Sequence, residues 1–357
     1  MPSVSRRTFL QMSTLAAATA STGLAQGAKP KIKVGLDNFA VRAMGWKAPR
    51  LIEYAAELKC DTILISDLPS FESLEDAALR EIKKQADGLG IDLYLGSWSI
   101  CPTSVRFRKD WGTAEEHLRF GLRAAKALGS PVFRVILGAM EDRKTPGGIR
   151  ARIADTVTVL KACRSQALDL GVKVAVENHA GDMHTWELCD LIEAAGSDFV
   201  GANFDSGNAA WTLEDPLDSL ETLGKYIICS SLRDDMIWPA EDGATVQWTA
   251  AGDGLIDWNK LVERWQVLCP QVPIMIETIS GFPRTFPYKK EEFWQHYDRK
   301  PERLAHFEAL AQRGHALEPF KAPEGTDKKV ADQDFQRAQI ERSIRFLREK
   351  LGLGLKA

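Results

Sequence analysis

Val172–Asp182 reads VKVAVENHAGD, an apolar, β-branched run that stops abruptly at Glu177, Asn178 and His179. A central parallel strand is covered on both faces and therefore reads as a continuous apolar run. Its carboxyl end is where an α/β fold presents reactive side chains. The stretch predicts a buried strand that delivers a carboxylate, an amide and an imidazole to one rim.

Outward from it, the same pattern recurs at Ile32–Leu36, Thr62–Ser66, Asp92–Ser97, Val132–Leu137, Phe199–Phe204, Tyr226–Leu232 and Pro273–Glu277. Helical patterns lie between, at Pro49–Lys59, Leu74–Leu89, Thr113–Leu128, Gly148–Leu170, Thr185–Ala195, Asp215–Leu223 and Trp258–Cys269, several closed by glycines such as Gly90, Gly129, Gly171 and Gly196. Eight strands alternating with helices favour a (β/α)8 TIM barrel over a doubly wound sheet, and no GxGxxG follows the first strand.

The final helix, Phe335–Leu351, is delayed by Ser280–Asp332, a stretch rich in Pro, aromatic and charged residues. An insertion of that length after the eighth strand sits on the catalytic face of a barrel, where it serves as a lid; a homo-oligomer contact is the competing reading. The expected organisation is one barrel domain, residues 29–357, carrying that insertion at 280–332.

Residues 1–28 read as an address. Arg6-Arg7-Thr8-Phe9-Leu10, followed by Ala, Ser and Thr to Ala28, fits a twin-arginine signal peptide with cleavage near Ala25 or Ala28. The expectation is therefore export through the twin-arginine machinery to the periplasm or beyond, without a stable membrane anchor, because the segment is short and only weakly apolar. Chains on that route cross folded, so the six cysteines need not form disulfides; Cys60, Cys163, Cys189, Cys229 and Cys269 read as core residues. With 45% hydrophobic and 27% charged residues and a net charge of -3, the chain reads as globular and a poor nucleic-acid binder.

The strand ends carry the chemistry. Glu177 ends the fifth strand, Asp205 follows the sixth, Ser231-Leu232-Arg233-Asp234 closes the seventh and Glu277 ends the eighth. Carboxylates converging from successive strands cannot all stay ionised without a cation, which predicts a divalent metal held by hard oxygens. The plainer alternative is that they cap helices or pair with Arg134 or Arg233.

The succession VAVENHAGD, NFDSGNA, SSLRD, GDGLIDW and IMIET resembles the xylose isomerase-like barrel superfamily, in particular the sugar phosphate isomerase/epimerase group that includes ketose 3-epimerases, over about Lys31 to Thr278. The resemblance implies a manganese, magnesium or cobalt ion held by Glu177, Asp205 and Glu277, with the two glutamates moving protons on opposite faces of a sugar. Two positions depart from the pattern. Ser231 stands where the family carries a metal-binding histidine, and Asn208 stands where a second histidine is common. Either an extra water, or His179 or His184, would then complete the ligand set, or the site has lost its metal; a retained but weaker, oxygen-rich site is the expectation.

Asn178, His179, Asn208, Arg233, Arg134 and Trp98 are the candidate substrate contacts, Arg134 because a buried arginine needs a carboxylate or a ligand oxygen. His117, His296, His306 and His315 read as surface residues. The expected activity is isomerisation or epimerisation of an unphosphorylated sugar or keto-sugar through an enediolate. β-Elimination as a lyase or hydratase on 3-keto-glycosides and a sugar-binding barrel without turnover are the alternatives. The endonuclease branch of the superfamily, which needs many histidines, is disfavoured by a total of six.

Overall fold

The computed structural model describes residues 31–356, so the expected export signal lies outside the described residues. Eight strands form the barrel: β1 (Val34–Asp37), β2 (Thr62–Ile65), β3 (Asp92–Ser99), β4 (Val132–Ile136), β5 (Lys173–Glu177), β6 (Val200–Phe204), β7 (Ile227–Ser230) and, as the eighth, β10 (Ile274–Ile276). All neighbours pair in parallel, and β10 also lies beside β1, with Val34 opposite Ile274. A single parallel bridge, Leu232 to Ile276, closes the ring between the seventh and eighth strands. This is the expected (β/α)8 barrel.

The helices are α1 (Ala48–Glu57), α2 (Asp76–Gly88), α3 (Ala114–Leu128), α4 (Gly148–Leu170), α5 (Thr185–Ala195), α6 (Ser206–Trp211), α7 (Pro216–Leu223), α8 (Trp258–Leu268), α9 (Leu304–Arg313) and α10 (Lys328–Glu349). Gly129 and Gly171 end α3 and α4 with φ of 76° and 66°, the left-handed conformation that frees the chain to turn into the next strand.

Strand side chains alternate with a period of two, so residues two apart share a face. Leu64, Val132, Ala175, Cys229 and Met275 form one small buried cluster. Two residues further along the same strands come Ser66, Arg134, Glu177, Ser231 and Glu277. An apolar plug thus fills the barrel interior and the polar site is built directly on it.

The chain departs from expectation between the seventh strand and α8. There, β8 (Asp234–Ala240) and β9 (Gly243–Thr249) form an antiparallel hairpin, and β11 (Pro283–Phe286) from the insertion pairs with β9. This three-stranded sheet and α9 bury Trp211, Ile237, Val246, Trp248, Phe286 and Phe307 in a second core. The insertion is therefore folded onto the hairpin. Tyr297 reaches the loop after β4, where the Arg143 guanidinium lies 4.3 Å from its ring centre.

The cysteines are free, and all but half-buried Cys189 are buried. Of the histidines expected at the surface, His296, His306 and His315 are exposed, but His117 is buried. It faces β3 from α3, its Nε2 2.8 Å from the Ser97 hydroxyl, and burial pushes its pKa down to about 4. Among the described residues no helix is long and apolar enough to cross a membrane.

Candidate active site

Glu177 and Glu277 lie at the carboxyl ends of their strands, and Asp205 caps α6, accepting from the backbone N–H of Gly207 and Asn208 at 2.8 and 3.0 Å. One oxygen from each of Glu177, Asp205 and Glu277 lies within 4.8 Å of the others, a spacing that could hold a metal ion. All three are buried, as is Asp37 from β1.

Two buried guanidiniums oppose these carboxylates. Arg134 from β4 donates through Nε to Glu177 Oε2 at 2.6 Å and through Nη1 to the Ser97 carbonyl at 3.0 Å. The ion pair foreseen as the plain reading of Arg134 is thus present. Arg233 directs a single nitrogen, Nη2, at both Asp205 Oδ2 and Glu277 Oε2. Burial disfavours its charge, but Asp205, Glu277 and Glu177 outweigh that and raise its pKa. Four buried carboxylates thus face two buried cations.

Amides complete the site. Asn203 donates to Glu177 Oε2 at 2.7 Å and to the Ser231 hydroxyl at 3.2 Å; Asn208 donates to Glu177 Oε1 at 3.2 Å and Asp205 Oδ2 at 2.6 Å. Asn178 exchanges hydrogen bonds with the backbone of Asp205 at 2.8 and 2.9 Å, locking the ends of β5 and β6 together. Burial raises the pKa of both Glu177 and Glu277, partly offset by Arg134 and Arg233. Burial and Glu277 push Asp37 up to about 7.

Ser231, at the position of the family's histidine, donates to Asp37 Oδ2 at 3.3 Å and accepts from Asn203. Ser231 and Arg233 are two apart and so share the inward face. Arg233, one layer higher and longer, is the residue that reaches the carboxylates.

Neither histidine named as a replacement joins the triad. His179 Nδ1 lies 2.6 Å from the Gly138 carbonyl and its ring meets Trp98 edge-on at 5.7 Å. Burial, with Arg134 second, pushes its pKa down to about 3, so the ring is neutral. His184 stacks on Trp186 at 3.9 Å, with Nδ1 3.3 Å from Glu214. Trp98 is half-buried at the rim, with the Arg108 guanidinium 4.9 Å from its ring centre.

Two further residues shape the site. Trp248 of β9 packs 4.3 Å from the Arg233 guanidinium and donates its indole N–H to the Gly207 carbonyl at 2.9 Å. Asp234 anchors the GDGLIDW loop, accepting from Gly252 N, Ile256 N and Trp258 Nε1 at 2.9, 3.1 and 2.7 Å. Trp248 escaped the sequence reading because its hairpin did. The signal was there: apolar alternation on both sides of Asp242-Gly243.

The Xylose isomerase-like TIM barrel family matches residues 52–291, well over half of the chain. The chain belongs to that family. Among individual relatives, a 3-oxo-isoapionate decarboxylase from Pectobacterium atrosepticum is 22% identical over 213 residues, which span 59% of this chain and 70% of that enzyme. Among solved structures, a D-psicose 3-epimerase crystallised in the presence of D-fructose superposes with a TM-score of 0.57 at 16% identity, over 90% of this chain and 100% of the other. A 3-keto-D-glucoside 4-epimerase from E. coli gives 0.53 at 14% identity, over 70% and 92%. At these identities the structural likenesses establish the fold.

Proposed function

We propose that this family member is an isomerase or epimerase acting on an unphosphorylated sugar or keto-sugar by moving a proton next to a carbonyl. The observation that carries the reading is the pair Glu177 and Glu277, two carboxyls whose pKa burial raises and which converge with Asp205 at one end of the barrel. A carboxyl so raised can hold a proton as well as take one.

Polar atoms left unpaired around the pair suit a polyol. Asn203 Oδ1 and Asn208 Oδ1 are buried acceptors without a partner, and Arg233 Nε, Trp98 Nε1 and Thr278 Oγ1 are buried without one. Hydroxyls both donate and accept and a carbonyl accepts, so one sugar answers both needs. The excess of buried carboxylates over guanidiniums disfavours a phosphorylated substrate, as does export by the twin-arginine route, which we retain as a proposal.

In the reaction, one glutamate accepts the proton of the carbon beside the carbonyl. The C–H electron pair moves to form the enediolate, and its oxyanion takes the negative charge. The other glutamate, protonated, returns a proton to the opposite face, which inverts the centre. Glu277 is the freer base, since Glu177 already accepts from Arg134, Asn203 and Asn208.

The divalent ion implied by the family resemblance meets a mixed site. The carboxylate spacing suits it, but no imidazole completes the set, and Arg233 Nη2 lies between Asp205 and Glu277 where an ion would bind them. The residues as arranged do not fit a resident ion.

The test is incubation of the protein in deuterated water with a panel of unphosphorylated ketoses, aldoses and 3-keto-glycosides, followed by NMR. Deuterium entry beside the carbonyl with inversion supports the reading. Loss of a β-substituent after the same exchange would make the enzyme a lyase, and absence of exchange across the panel would sink it.

A further inference from the structure

We propose that Arg233 is the resident cation of this site and does the work that a divalent metal would otherwise do. The inference deepens the function proposed above, since it names the group that stabilises the enediolate.

Three observations converge on it. First, Nη2 alone bonds both Asp205 and Glu277, the one cation shared by two of the three converging carboxylates, while Glu177 takes the other buried cation, Arg134. Each of the three carboxylates is therefore satisfied by the chain itself. Second, the arginine has a built berth. A Cβ on Gly207 would lie 2.3 Å from Arg233 Cγ and 2.9 Å from Trp248 Cδ1, and Trp248 closes the guanidinium from above. Side-chain departure to admit an ion would break the contact with Trp248 and leave the opened berth behind it. Third, Ser231 stands at the position of the family's imidazole ligand, and its hydroxyl is engaged with Asp37 and Asn203.

A guanidinium can fill this role because it is always charged and presents several N–H donors in a plane. Arg233 Nε is buried without a partner, leaving a donor for substrate oxygen. When the C–H proton passes to a glutamate, the electron pair ends on the former carbonyl oxygen, which charge-assisted hydrogen bonds from Arg233 stabilise. Arg233 neither gains nor loses a proton.

The test is calorimetric titration of the chelator-treated protein with Mn²⁺ and with Co²⁺, alongside elemental analysis of the protein as purified. The wild type is expected to carry no stoichiometric divalent ion and to show no saturable binding up to roughly millimolar concentration, the weak end of carboxylate sites. Arg233→Ala combined with Ser231→His is expected to gain stoichiometric binding, because it vacates the berth and restores an imidazole. Arg233→Lys, which keeps the charge, is expected to fold as judged by near-UV circular dichroism and to lower kcat by about 10²–10³-fold with a smaller effect on KM.

Stoichiometric metal in the wild type, or loss of deuterium exchange on chelation with recovery on metal addition, would overturn the proposal and leave the proton-transfer function standing. A wild type that binds no metal and exchanges no substrate proton would overturn the function instead, with the cation assignment intact. Should the double variant fail to fold, the wild-type titration decides alone.

Discussion

Gly207 and Arg233 are complementary in shape: a Cβ on Gly207 would lie 2.3 Å from Arg233 Cγ and 2.6 Å from its Cδ. Glycine is used here for close approach, since Gly207 is absent from the left-handed residues of the chain. Gly207→Ala is expected to dislodge Arg233 and cost about 1–3 kcal/mol, the usual range for overpacking a buried contact. Urea denaturation measures the cost, and the substrate-exchange assay should fall with it; a variant with unchanged stability and exchange would contradict the fit.

Glu177→Gln and Glu277→Gln keep shape while removing the proposed proton carrier. Each is expected to lower the rate of deuterium entry beside the carbonyl by about 10²–10⁴-fold, the range for a positioned acid or base. The fold should persist in both. If either variant retains exchange at the wild-type rate, that glutamate is not a proton carrier.

His117 gives a second source of pH dependence, from a ring bonded to Ser97 rather than to the carboxylates. Its folded pKa of about 4 lies below the ordinary 6.5 because burial disfavours the imidazolium. The unfolded chain therefore binds more protons between those values, so this contribution to stability is complete above about 6.5 and is lost as pH falls toward 4. The whole window corresponds to about 3 kcal/mol. Thermal unfolding across that range should show a shallower acid slope for His117→Gln than for the wild type; parallel slopes would mean that the buried imidazole does not titrate in this window.

Asp235 is buried with both carboxylate oxygens unpaired, and burial followed by Asp234 raises its pKa well above the ordinary value. Its protonated form is favoured in the fold, so its contribution is present at low pH and is lost as pH rises through the raised value. Asp235→Asn should be stabilising at neutral pH and neutral near pH 4, with a gain of about 1–3 kcal/mol in line with an unsatisfied buried group. Equal melting temperatures at both pH values would show that Asp235 has a partner in solution.

The barrel was legible because its strands are buried on both faces, and an apolar run that halts at Glu177 or Glu277 marks the rim without any knowledge of what lies beside it. The carboxylate triad followed from the same endings. Arg233 was legible as a site residue but not as the group between the carboxylates: it and Ser231 share a face by strand alternation, and only side-chain length and the gap at Gly207 decide which of them arrives. His117 looked like a surface residue because a helical histidine carries no mark of which side it faces. The hairpin was missed because a single antiparallel pair inside a run of β/α units breaks the period by which the rest was counted.

The pairing of β1 with β10 carries a consequence for how the molecule comes into being. The opening strand rests between β2, about 25 residues away, and β10, which ends at Ile276. During synthesis its pairing with the last strand waits until nearly the whole barrel has been made. Glu277 is the residue immediately beyond that last strand, so the carboxylate triad and the closed ring are completed together: a nascent chain short of this point holds neither.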